Sequence, residues 1–180
     1  MKAASILRIF FLALIVIAPS AIFAGTGEFD RAMGPVLAEY LKIHRALVAD
    51  QTEGVREAAE KIGVLADSVD PKTVKGEHAM HYIGVPIDIK KAALKLGQQE
   101  EIAAVREAFK ELSRPMAMWA TMSKPKGIYI VYCSMAKGSW LQNDKVVQNP
   151  YHGRAMLRCG EIVGGAEDDT GGRQHPTTDH

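Results

Sequence analysis

The sequence predicts a mainly α-helical protein, an up-down four-helix bundle followed by a small C-terminal lobe of short strands and turns. Between residues 28 and 124, apolar side chains recur at steps of three and four, which is typical of amphipathic helices. After Pro125 the pattern changes to the β-branched and aromatic run IYIVYC, from Ile128 to Cys133, which indicates a strand. Four amphipathic helices with short connections most simply form an up-down bundle.

The N-terminal segment Met1–Ala24 has the parts of a cleavable signal peptide. Lys2 and Arg8 give it a positive start, and the apolar run Ile9–Ala18 follows. That run is about ten residues long, whereas a membrane span needs roughly twenty. We therefore expect cleavage after Ala24, a mature protein in the periplasm or outside the cell, and no membrane span after cleavage.

Residues 25–165 are predicted to form a single domain, and residues 166–180 a disordered tail that is polar and rich in glycine. The chain has a net charge of +1, and its basic residues are scattered rather than clustered. This distribution does not favour nucleic acid as a partner. Since the sequence has no phosphate-binding glycine loop and no His-Glu-x-x-His motif, we expect a protein that is not an enzyme.

The first predicted helix runs from Glu28 to Ala49, although Pro35 is also a suitable first-turn residue and a start there stays open. Asp50 and Glu53 are spaced as a capping box for the second helix. Pro71 follows that helix and prevents its continuation.

The third predicted helix runs from Pro86 to Gly97, and the fourth from Gln99 to Met122. We expect Pro115 to kink the fourth helix, because proline removes one hydrogen bond from a helix interior.

The C-terminal lobe is predicted to span residues 127–163. Its later parts are a turn at 136–139, a strong turn signal at 149–153, a short helix or extended segment at 154–159, and a last strand at 160–163.

This lobe contains four sulfur residues in two closely spaced pairs, Cys133 with Met135 and Met156 with Cys159. Residues two apart on a strand share a face, and so do residues three apart on a helical turn. Each pair therefore directs both of its sulfurs to one side. Thiolates and thioethers are soft ligands that favour Cu(I) or Ag(I), and the nearby His152 offers a nitrogen ligand.

The same residues have a second interpretation. Two cysteines in an exported protein commonly form a structural disulfide, and methionines commonly fill gaps in a core. The alternative function is therefore a non-catalytic protein-interaction module stapled by a Cys133–Cys159 disulfide. The two states are also compatible, as an oxidised disulfide form and a reduced metal-binding form.

A second histidine-containing segment has the sequence EHAMHY. His78 and His81 lie three apart and would share a face if this segment is helical, which suits a surface copper or zinc site. A solvated pair with no metal is the other interpretation, and the sequence leaves the choice open.

Several segments resemble a known family. The similar segments are REAFKELS (106–113), YCSMA (132–136), GSWL (138–141), NPYHG (149–153) and MLRCG (156–160), together with YLKIHRALVAD (40–50). This family is a bacterial exported domain of unknown function, which also occurs fused to periplasmic adaptor subunits of copper and silver efflux pumps. Its usual pattern has proline at the position of Ser134 and an aromatic residue at that of His152.

The resemblance implies a role near copper or silver transport. It adds weight to a soft-metal site formed by Cys133, Met135, Met156 and Cys159, because the change at Ser134 leaves both neighbouring sulfurs in place. It also implies a copper or silver efflux system, or another periplasmic protein, as the partner.

Overall fold

The computed structural model describes residues 27–74 and 79–166. The predicted signal peptide, His78, and the predicted tail beyond Ala166 lie outside the described residues. Within the described part, the chain is mainly helical and ends in a small antiparallel sheet, as the sequence predicted.

Five α-helices occupy the described residues up to position 123. They are α1 (Glu28–Val48), α2 (Val55–Asp67), α3 (Ala79–Tyr82), α4 (Val85–Gly97) and α5 (Ile102–Ser123), with a 3-10 turn at Pro71–Thr73. Helices α1, α2, α4 and α5 correspond to the four predicted helices. The short helix α3 lies in the EHAMHY segment, whose helical state the sequence analysis left open.

The first helix begins at Glu28 and runs through Pro35, so the later start is wrong. An interior proline costs about 3 kcal/mol. The residues before it include Phe29 and Met33, which are 2% and 0% exposed. Burying each of these side chains contributes about 1.5–3 kcal/mol, which offsets the cost of the proline.

The predicted capping box at Asp50 is also wrong. Helix α2 begins after Gly54, which has a φ of 74° and makes no side-chain capping hydrogen bond. The carboxylate of Asp50 instead accepts hydrogen bonds from Arg106 Nη2 at 2.5 Å and Arg154 Nε at 3.0 Å. Asp50 therefore ties the α1–α2 connection to α5 and to the C-terminal lobe.

The long helices share one apolar core. Helix α2 packs against α1 and α4, and α4 packs against α5. Helix α5 continues through Pro115, whose predicted kink stays a prediction, as does the up-down order of the four helices. The largest fully buried side chains are Trp119, Trp140, Tyr40, Phe109, Met33, Ile43, Leu47, Ile62, Ile89, Leu96, Leu112 and Met116.

The C-terminal lobe contains strands β1 (Tyr129–Cys133), β2 (Gly138–Gln142) and β3 (Glu161–Gly165). They form an antiparallel sheet in the order β2-β1-β3, with Cys133 opposite Gly138. The predicted turn at 136–139 is shifted to 134–137, because residues 138 and 139 pair in the sheet. Between β2 and β3, a 3-10 turn covers Gly153–Met156.

Polar side chains of the helices hold this lobe in place. The Tyr40 hydroxyl accepts a hydrogen bond from the Leu141 amide at 3.1 Å and pairs with Ser113 Oγ at 2.7 Å. The buried His44 lies with Nε2 2.9 Å from the Gln148 carbonyl oxygen. Since Tyr40 and His44 belong to α1, that helix fixes both β2 and the following loop.

None of the helices within residues 27–74 and 79–166 is long and apolar enough to cross a membrane.

Candidate functional site

The two cysteines of the chain lie side by side. Cys133 ends β1, and Cys159 follows the 3-10 turn, with the two Sγ atoms 2.9 Å apart. Both are free thiols. Both the predicted disulfide and the predicted metal site require neighbouring cysteines, and the two cysteines are neighbours, while the disulfide itself is not formed in this structure.

Asn149 holds the loop that carries Cys159. Its Oδ1 accepts hydrogen bonds from the amides of Tyr151 at 2.8 Å and His152 at 3.1 Å, which closes the turn that the NPYHG motif predicts. Its Nδ2 donates to the Cys159 carbonyl at 2.6 Å, and its backbone amide donates to the Leu157 carbonyl at 2.8 Å. Asn149 is fully buried, so these bonds fix Cys159 firmly.

Aromatic packing anchors the same loop to the rest of the protein. The Tyr151 ring meets Trp140 edge to face at 5.5 Å and lies 6.2 Å from Phe109 of α5. Its hydroxyl donates to the Ser139 carbonyl. The turn from Asn149 is therefore docked on both β2 and α5, opposite the end of β1.

The two thiols have different surroundings. Burial raises the pKa of the Cys133 thiol, but hydrogen bonds from Cys159, from the amides of Ala136 and Met135 and from Asn149 outweigh it. The resulting pKa lies below its usual value. The pKa of Cys159 is raised, because its thiol is hydrogen-bonded to Cys133 and is partly buried.

The methionines beside the cysteines lie at the surface. Met135 is 67% exposed and Met156 is 39% exposed, whereas Met33 and Met116 are fully buried. The interpretation of Met135 and Met156 as core filler is therefore wrong. The carbonyl of Met156 accepts the amide hydrogen of Cys159 at 3.0 Å, which places these two residues on one turn.

The histidines predicted as ligands have separate positions. The ring of His152, in the Asn149 turn, has its Nε2 buried without a hydrogen-bond partner. An imidazole nitrogen that carries no proton can coordinate a metal ion or accept a hydrogen bond from water. His81 is exposed on α3, and the predicted pair with His78 lies partly outside the described residues.

No group of three or more His, Cys, Asp or Glu side chains suited to one metal ion occurs within residues 27–74 and 79–166. Methionine is not one of these four residue types, so this finding does not concern thioether ligands.

The sequence did not reveal the role of Asn149. An Asn-Pro-Tyr segment predicts a turn, and the turn is present. The bond from its side chain to the Cys159 carbonyl joins residues ten positions apart, across the 3-10 turn. A buried asparagine beside a cysteine pair is visible only in the folded protein.

The family of this chain follows from comparison with known proteins. No curated protein matches this sequence, and no solved structure matches it. A model of the family described as "Protein of unknown function (DUF3347)" matches residues 36–126, which is just over half of the chain. The match extends from α1 to just beyond α5 and ends before the strands, so both cysteines lie after it. The chain therefore belongs to the DUF3347 family of proteins of unknown function.

Proposed function

We propose that this chain is an exported protein that binds Cu(I) or Ag(I) through the thiolates of Cys133 and Cys159. It buffers the metal or delivers it to an efflux system. The observation that supports this proposal best is the direct contact of the two sulfurs, 2.9 Å apart, in the C-terminal lobe. Two converging thiolates are soft ligands of the kind that Cu(I) and Ag(I) prefer.

A metal ion between the sulfurs requires a modest opening of the pair. With metal–thiolate bonds of about 2.3 Å, two sulfurs on opposite sides of an ion are about 4.6 Å apart, and in a trigonal site about 4.0 Å. The present 2.9 Å must therefore increase by about 1–2 Å. Cys133 is held in the sheet, so we expect the partly exposed Cys159 side chain to move.

The exposed methionines are suited to complete the coordination. A thioether adds a soft ligand without adding charge, so two thiolates with one thioether hold a monovalent ion at a net charge of −1. Met135 and Met156 flank the two cysteines in sequence and are not required by the core. His152 is a further candidate ligand, because its Nε2 lacks a hydrogen-bond partner.

Support for export and for an efflux partner comes from the sequence. The leader Met1–Ala24 has the pattern of a signal peptide. The resemblance to a domain fused to adaptor subunits of copper and silver pumps implies a partner of that class.

The test is a titration of the reduced protein with Cu(I), without oxygen, against a coloured Cu(I) chelator. We expect one ion per chain, and a loss of affinity of about 100-fold or more in Cys133→Ser and in Cys159→Ser, because each removes a ligand. Circular dichroism shows whether these variants fold. Tight binding that survives both substitutions would exclude the site.

The methionine ligands have a test of their own. Met135→Leu with Met156→Leu keeps a similar volume and should lower Cu(I) affinity about tenfold, or about 1.4 kcal/mol. Met80→Leu with Met118→Leu is the matched control, because these residues are also exposed, at 74% and 42%. Equal affinities of the two double variants would show that only the thiolates bind the ion.

The second candidate function is an interaction module stapled by a disulfide between the same cysteines. The short distance between the sulfurs favours it, because a small rotation would allow the bond to form. A bond across 26 residues contributes roughly 3 kcal/mol by restricting the unfolded chain. A thiol count on the native protein separates the two functions: a permanent disulfide that resists mild reductant favours the module.

A further inference from the structure

The two cysteines differ sharply in access to solvent. Cys133 is 0% exposed, because β1 is the central strand of the sheet. Cys159 is partly exposed, on the loop just before the edge strand β3. A molecule approaching from solvent therefore reaches Cys159 first.

The hydrogen-bond donors are distributed in the opposite way. The Ala136 amide donates to Cys133 Sγ at 3.4 Å, from the turn that follows β1. Among the described residues, the hydrogen-bond partner of the Cys159 sulfur is Cys133. A negative charge on the leaving Cys133 sulfur is thus stabilised by the fixed dipole of this backbone amide.

We propose that the two cysteines form a thiol–disulfide exchange site, in which external thiols react at Cys159 and Cys133 is the internal leaving or resolving sulfur. The rate of thiol–disulfide exchange depends on how accessible the attacked sulfur is and on how well the leaving sulfur carries a negative charge. In this structure the accessible sulfur is that of Cys159, and the sulfur that accepts a backbone hydrogen bond is that of Cys133. The exchange itself needs no metal and goes beyond the proposed metal site.

The reaction uses a small-molecule thiol such as glutathione as the co-reactant. Its thiolate attacks Cys159 Sγ of the protein disulfide, the bond between the cysteines breaks, and the electron pair passes to Cys133 Sγ. A second thiolate attacks the external sulfur of the mixed disulfide on Cys159, so Cys159 leaves as a thiolate and an external disulfide is formed. The protein gains two electrons, and two external thiols are oxidised.

Oxidation follows the same steps in reverse. The Cys159 thiolate attacks an external disulfide, which releases one external thiolate and leaves a mixed disulfide on Cys159. The Cys133 thiolate, whose Sγ lies 2.9 Å away, then attacks Cys159 Sγ, expels the second external thiolate and closes the internal bond. The ratio of external thiol to external disulfide then sets whether both cysteines are free thiols, and hence whether the proposed metal site is available. This consequence alone rests on the proposed function.

The first experiment uses the mature protein in the presence of a metal chelator. The oxidised protein is mixed with reduced glutathione, quenched with acid, and the single-adduct species is mapped by mass spectrometry. We expect the adduct on Cys159. An adduct mainly on Cys133, or a disulfide that glutathione does not reduce, would overturn the proposal.

The second experiment compares Cys133→Ser, which retains only Cys159, with Cys159→Ser, which retains only Cys133. Oxidised glutathione should modify the folded Cys133→Ser variant about tenfold faster or more, because access governs the rate. Both variants should react at similar rates in denaturant, which is the control. Equal rates in the folded proteins would refute the assignment. Exchange without Cu(I) binding would keep this inference and remove the proposed metal function.

Discussion

Acidification should destabilise this protein through one buried histidine. His44 is 3% exposed, and burial lowers its pKa from 6.5 to about 4. Above pH 6.5 both the folded and the unfolded chains carry a neutral ring. Between pH 6.5 and 4, the unfolded chain takes up a proton that the folded chain does not. Stability is therefore complete above pH 6.5 and falls as the pH is lowered to 4, by about 3 kcal/mol in all.

The perturbation is His44→Gln, which removes the titrating ring but places an amide donor near the Gln148 carbonyl, where His44 Nε2 lies. Urea unfolding at pH 7.5 and 4.5 gives the free energy of unfolding at each pH. Between pH 7.5 and 4.5 the free energy of unfolding should fall by about 2 kcal/mol more in the wild-type protein than in the variant. The reason is that the variant has no His44 ring to take up a proton on unfolding.

The control is His81→Gln, because His81 is exposed on α3. It should lose as much stability on acidification as the wild-type protein. Asp50 contributes little to the pH dependence of stability in this interval, because Arg106 and Arg154 hold its pKa below the ordinary 3.8. A His44→Gln variant with the same pH dependence as the wild-type protein would refute the assignment to His44.

Three further predictions follow from the structure and the sequence. Tyr40→Phe should lower the free energy of unfolding by about 1–3 kcal/mol in urea, because the Leu141 amide loses its acceptor; an unchanged midpoint would contradict the role of this contact. Gly160→Ala should lower it by about 1–3 kcal/mol or more, because Gly160 has a φ of 143° and a Cβ there would lie 2.7 Å from the Trp140 ring; wild-type stability would count against this close approach. Expression with the native leader should yield a protein that begins after Ala24, and an intact N-terminus in the mass spectrum would refute the signal peptide.

Local patterns predicted the long helices because each presents one apolar face. The first helix was predicted to start at Glu28 and observed there, and the third and fourth lie within a few residues of their predicted ends. The first strand also matched, from its β-branched and aromatic residues. For the helices the information lies in the period of the apolar residues, and for the strand it lies in the residue types.

Contacts between distant residues could not be predicted in this way. Asp50 has the local pattern of a capping residue, yet its carboxylate pairs with Arg106, which is 56 positions away. The short helix α3 and the shifted turn before β2 likewise depend on what packs against them.

By itself, the sequence determined the helices, the strand-forming lobe and the grouping of two cysteines with two methionines. The tertiary structure decided which of those sulfurs are buried and which are exposed. It brings Cys133 and Cys159 into contact through the antiparallel sheet, while Asn149 fixes the loop that carries Cys159. Spacing along the chain can bring side chains to one face, but only the packing of the sheet and loop sets their exposure and their hydrogen-bond donors, and hence their chemistry.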